Sequence, residues 1–193
     1  MVRILAGEVR RLSSITMLLA VLIFTGCLLA VFGIISVHEW GHYLAGLAGG
    51  IPRHAMRVRL FVFPQHVALK SGAQWLHPQF DYAQYATAAM AFLRDQPRAV
   101  LYVAGGLVLQ TVGFAGFVAG GVAAGIPRLW LIPVACAMAS VFVLYLIGDL
   151  LFTCFTRRPC GDFSFLWKIS PVNCLFVTIV TLAVHVTVLL RLF

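Results

Sequence analysis

Four long apolar runs dominate the sequence and leave the chain few ways to fold. They cover residues 15–47, 99–124, 129–155 and 171–193, each long enough to supply the ~20 residues with which a helix crosses a hydrocarbon core. Backbone N–H and C=O groups facing lipid cannot be left unpaired, so runs of this kind are expected as helices. Of 193 residues, 62% are hydrophobic and 10% charged, with a mean hydropathy of +0.98. A soluble domain carries about a quarter charged residues. One small core cannot hide that much apolar surface. The chain is therefore expected to be an all-α integral membrane protein, a single domain over 1–193 with about four transmembrane helices.

Residues 50–97 interrupt the pattern. They open on Gly49-Gly50-Ile51-Pro52, and Arg57 to Leu60 then alternates polar and apolar, the period of a strand. Gln65 to Leu69 is its expected return partner, which makes a short β-hairpin after the first span. Asp81 to Leu93 reads as an interfacial helix leading into the second span, and residues 125–128 as the turn between spans two and three.

The net charge of +8 does not gather on one amphipathic face, so a nucleic-acid partner is not expected. Arg53, Arg57, Arg59, Lys70, Arg94 and Arg98 share a side with Arg157, Arg158 and Lys168 if four spans alternate. Arg3, Arg10, Arg11, Arg128 and Arg191 fall opposite. The positive-inside rule then puts the loop at 50–97 in the cytosol. The N-terminal arginines before an apolar run resemble a signal peptide, but the run from Ile15 to Ile35 is too long for one and reads as a retained span. The five cysteines, Cys27, Cys136, Cys154, Cys160 and Cys174, form no CxxC pair and suggest neither disulfides nor a cysteine-held metal.

Chemistry concentrates at His38-Glu39-Trp40-Gly41-His42, an HExxH pattern. On a helix, residues four apart share a face, so His38 and His42 can reach one ion, while Glu39 can lean over its open position as a general base. Each such polar group at membrane depth costs roughly 2.5–3.5 kcal/mol on insertion scales, and a Zn2+ ion is the compensating partner. A catalytic zinc needs a third ligand. Glu8, Asp81 and Asp95 lie in polar segments, which leaves Asp149 and Asp162.

These features resemble the site-2 protease family of intramembrane zinc metallopeptidases, over about residues 36–171. His38 to Gly50 (HEWGHYLAGLAGG) matches the family's first motif, including the small residues Gly41, Ala45, Gly46 and Gly49. The second motif, Ala-Gly-Pro followed by Asn, is represented by Ala104-Gly105-Gly106 and a shifted Gln110. The third motif, an Asn and then Leu-Asp-Gly, is represented by Asp149 and Asp162, with Phe163 in place of glycine. The resemblance implies a zinc metalloendopeptidase with His38, His42 and Asp162 as ligands and Glu39 as catalytic base. Asp149 is then the alternative ligand or a carboxylate orienting a ligand imidazole, and Gln110 a substrate contact. It also implies a membrane-associated hairpin, a membrane protein or peptide as substrate, and a multi-pass protein of the cell membrane with its site towards the cytosol. The departing second and third motifs admit an alternative: a catalytically inactive relative acting as a binding or regulatory partner.

Other residues attract blander expectations. His54, His66 and His77 read as solvated or interfacial, and His185 as a hydrogen-bonding residue inside the last span. The Gly116-xxx-Gly120 pair reads as a helix-packing motif within the chain, and Trp75, Trp130 and Trp167 as interfacial anchors.

Overall fold

The computed structural model describes the backbone of residues 2–193 and the side chains of residues 15–193. The side chains of Glu8, Arg3, Arg10 and Arg11, which enter the charge argument, lie outside the described residues. The chain runs α1 (Val2–Gly49), β1 (Met56–Arg59), β2 (His66–Ser71), β3 (Gln74–Leu76), α2 (Tyr82–Leu93), α3 (Gln96–Ala123), α4 (Arg128–Thr156), α5 (Asp162–Ile169) and α6 (Pro171–Leu190), with a turn of 3-10 helix at Arg53–Ala55. Four helices, at Ile15–Gly49, Gln96–Ala123, Arg128–Thr156 and Pro171–Leu190, are long and apolar enough to cross a membrane. Their outward faces carry exposed leucines and phenylalanines such as Leu18, Phe24, Leu29, Leu144, Phe152 and Phe176. Continuous apolar surface of this extent is not left to water.

The expected hairpin is a three-stranded antiparallel sheet in the order β1-β2-β3. Met56 faces Leu69 and Arg59 faces His66, as a return strand requires, but β2 then turns again and pairs Leu69 with Leu76. That second turn uses Gly72, whose φ of +59° is one that side-chain-bearing residues avoid. Leu69 and Leu76 bury on the α2 side, where α2 lays Tyr85, Ala89 and Leu93 against the sheet and α3. Arg94, in a left-handed conformation, ends α2. Asp95 then caps α3 by accepting from the Arg98 amide at 2.9 Å, with Pro97 in the first turn, so α2 and the second span are separate helices.

Small residues let α1 and α3 approach closely. A Cβ added to Gly41 would strike the backbone of Gly105 and Gly106, and one added to Gly105 would strike Ala45. Without side chains between them, the two backbones touch. Gly116 and Gly120, by contrast, have no atom of the described residues within 4 Å of where a Cβ would stand, so among these residues that pair meets no neighbouring helix. Ile34, Phe114, Leu131, Ala135 and Met138 form one core between α1, α3 and α4. A second joins the sheet, α2, α3, α4 and α5 through Leu69, Leu93, Leu107, Phe142 and Leu166. The metal-ligating candidates lie where α1, α3, α4 and α5 meet.

Candidate metal centre

His38 and His42 lie eleven and seven residues before the end of α1, roughly 16 and 10 Å inside the helix at 1.5 Å per residue. Both are buried, as is Glu39 between them. The one-turn spacing brings the two Nε2 atoms to 3.1 Å. Asp162, the first residue of α5, places Oδ2 at 2.9 Å from His38 Nε2 and 3.1 Å from His42 Nε2. The three donor atoms make a nearly equilateral triangle, the spacing at which ligands with bonds of about 2.0–2.2 Å share one ion.

The hydrogen bonds behind the imidazoles decide what fills that triangle. His42 Nδ1 lies 2.9 Å from the carbonyl oxygen of Tyr102, which can only accept, so Nδ1 carries the proton. His38 Nδ1 likewise donates to Gln110 Oε1 at 2.8 Å. In neutral imidazoles the two Nε2 atoms then hold lone pairs, and they converge on each other and on a carboxylate oxygen. Three lone pairs with no proton among them suit a cation. His38, His42 and Asp162 can therefore hold a metal ion.

Gly106 makes room for this arrangement. A Cβ there would overlap His42 Nε2 and crowd His38 Cε1. Glycine is what allows α3 to run directly beneath two ligand imidazoles.

Asp162 is held in place from α4. The N-cap of α5 is Gly161, which has no side chain to satisfy the first amides of the helix. Asp149 does this from outside: its carboxylate accepts from Ser164 N at 2.8 Å and Ser164 Oγ at 2.5 Å. Thr153 Oγ1 adds a third bond to it at 3.1 Å. One turn earlier on α4, Tyr145 Oη accepts from Asp162 N at 3.0 Å. Asp149 thus contacts neither the imidazoles nor the triangle. Among the described residues it is a cap for the ligand-bearing helix rather than the alternative ligand or imidazole partner expected from the sequence.

Gln110 has a role that the sequence did not show. Its Oε1 is committed to His38, on the ring nitrogen that faces away from the triangle, so it orients an imidazole. Its Nε2 is buried with no partner among the described residues. Sequence reasoning missed Tyr102 and Tyr85 as well. Tyr85 Oη donates to the carbonyl of Val67 at 2.8 Å and lies 2.6 Å from Tyr102 Oη, so the sheet, α2 and α3 are tied together at the very residue whose carbonyl orients His42. Burial, then the neighbouring Tyr102, push the Tyr85 hydroxyl well above its ordinary pKa and keep it a donor. The only sequence signal was a pair of tyrosines in apolar surroundings, where a hydroxyl needs a partner.

His38, Glu39, His42, Gln110, Tyr145 and Asp162 line one cavity of about 420 Å³, roofed by the inner face of α2 and rimmed by Gln65, His66 and Gln79. The Glu39 carboxylate has no hydrogen-bond partner among the described residues. His66, expected to be solvated, is buried, donates from Nδ1 to the Pro64 carbonyl at 2.9 Å, and meets the His77 ring at a 46° tilt with centroids 3.8 Å apart. His185 lies sandwiched between Phe114 and Phe142, its Nδ1 turned to the Thr181 carbonyl of its own helix and not to a neighbouring one. The five cysteines are free. No family model matches the chain, and no curated protein or solved structure does.

Proposed function

We propose that this chain is an intramembrane zinc metalloprotease of the site-2 protease type, which hydrolyses a peptide bond of a membrane protein or membrane-associated peptide. One observation carries the reading: an HExxH helix brings the Nε2 atoms of His38 and His42 and the Asp162 carboxylate to one point, each Nδ1 being engaged behind it by an acceptor, with Glu39 unengaged in the adjoining cavity. Two imidazoles and one carboxylate are a donor set that suits zinc with one position left open. When bound there, zinc supplies Lewis acidity at a carbonyl and makes a water easier to deprotonate.

The chain's own residues supply the rest. Glu39 takes the proton of the attacking water and returns it to the leaving amine. Gln110 and the Tyr102 carbonyl keep the imidazoles in the ligating tautomer. A substrate helix has to unwind to expose its backbone, and β1 and β3 each offer a free sheet edge with which an extended segment can pair. The excess of Lys and Arg on the loops beside the site supports a cytosolic side for the sheet, α2 and the site, in what we read as a multi-pass protein of the cell membrane.

The test is Glu39→Gln in purified protein reconstituted with single-span membrane substrates. Metal content stays near one zinc per chain and cleavage disappears. Cleavage that survives the substitution would overturn the assignment, and so would a wild-type protein that binds no zinc.

A further inference from the structure

Hydrolysis needs a hydrogen-bond donor aimed at the carbonyl oxygen that becomes negative, and such donors are among the largest contributions in acyl transfer. The sequence offers Gln110 for that duty, but the fold has turned it to the back of His38. Tyr145 occupies the better position. It lines the cavity, its ring stands edge-on to His38 at 5.5 Å and 77°, and its hydroxyl is 3.0 Å from the amide of Asp162. The Asp162 amide can only donate, so Tyr145 Oη is the acceptor in that bond and its own proton remains to be given away. No described residue accepts it, and the cavity beside the metal triangle is the space left open to it.

We propose that Tyr145 is a catalytic residue, donating a hydrogen bond to the scissile carbonyl oxygen and more strongly to the oxyanion formed from it; this rests on the protease reading above. As the water oxygen bonds to the carbonyl carbon, Glu39 takes one water proton and the π pair of the carbonyl moves to its oxygen. Tyr145 stabilises that oxygen without giving up its proton. The C–N bond then breaks, its electron pair goes to nitrogen, and Glu39 returns the proton there, leaving a carboxylic acid and an amine. The accepted bond from Asp162 keeps the phenol aimed before substrate arrives and polarises its O–H.

Tyr145→Phe keeps the ring and removes the donor. Four quantities are compared with wild type: zinc affinity, kcat and KM on a cleaved peptide, and calorimetric affinity for a phosphinic peptide whose tetrahedral oxygens mimic the oxyanion. The proposal expects zinc affinity and KM within about threefold, with kcat and phosphinate affinity both lower by about 100–1000-fold. A zinc affinity that falls in step with kcat would show that the hydroxyl only anchors Asp162, and an unchanged phosphinate affinity would overturn the donor role. Phosphinate affinity that is lost in Gln110→Ala, with zinc retained, would assign the role to Gln110 instead. If Tyr145→Phe does not fold, wild type carrying fluorotyrosine at position 145 serves: its fluorine resonance must move on phosphinate binding, and a static resonance refutes the proposal. Wild type that binds phosphinate yet cleaves no peptide would sink the protease reading, while the phosphinate comparison still decides what Tyr145 donates to.

Discussion

The carboxylate of Asp149 grips Ser164 twice, through the backbone amide at 2.8 Å and the hydroxyl at 2.5 Å, and so caps a helix that its own N-cap glycine cannot cap. Asp162 begins that helix, so a residue on α4 sets the position of a ligand it never touches. Loss of metal on mutating Asp149 is consequently no proof of ligation. Asp162→Ala should abolish zinc binding. Asp149→Ala should weaken it by about 10–100-fold, the usual cost of losing the support behind a ligand. Zinc titration separates the two, and hydrogen exchange in α5 should accelerate in Asp149→Ala.

Gln110 is predicted to act on the metal through His38. Gln110→Leu removes the acceptor for Nδ1 and should lower zinc affinity by about 10–100-fold, whereas Gln110→Glu keeps an acceptor and should retain most of it. Competition with a chelator of known affinity measures both.

Gly106 should tolerate no side chain. Even Gly106→Ala drives a methyl group into His42 and His38, and overpacking of this kind costs about 1–3 kcal/mol. The expected result is a lower unfolding temperature together with reduced zinc occupancy. Gly116→Ala, with open space around it, should leave both unchanged.

The sheet should loosen in acid. Burial first, then the neighbouring His66, lower the His77 pKa to about 4 against the opposing pull of Asp81. A base whose folded pKa lies below its ordinary 6.5 binds fewer protons folded than unfolded in that interval. Its environment therefore favours folding above about pH 6.5, and that advantage is lost as pH falls towards about 4. Hydrogen exchange at β2 and β3 should speed up across this window, and His77→Gln should flatten the dependence.

Much of the architecture was legible because lipid solvation leaves a long apolar run one option. The four long apolar helices, the strand at Arg57, its return before Leu69 and the helix after Asp81 all follow from local patterning. The third strand was missed although Gly72 signals a two-residue turn, because Gln-Trp-Leu is too short to show a period. His66 was misjudged because burial of a loop residue depends on what folds over it, here Pro64 and His77.

Sequence by itself determined that His38, Glu39 and His42 share a face of one long apolar helix, since helical periodicity and apolar length are properties of neighbouring residues. Only tertiary structure decided among the distant partners. It put Asp162 on both imidazoles, Asp149 on Ser164, Gln110 behind His38 and Tyr145 at the cavity wall. These assignments depend on how α1, α3, α4 and α5 cross, and that crossing is set by backbone contact at Gly41, Gly105 and Gly106, which local sequence patterning does not specify.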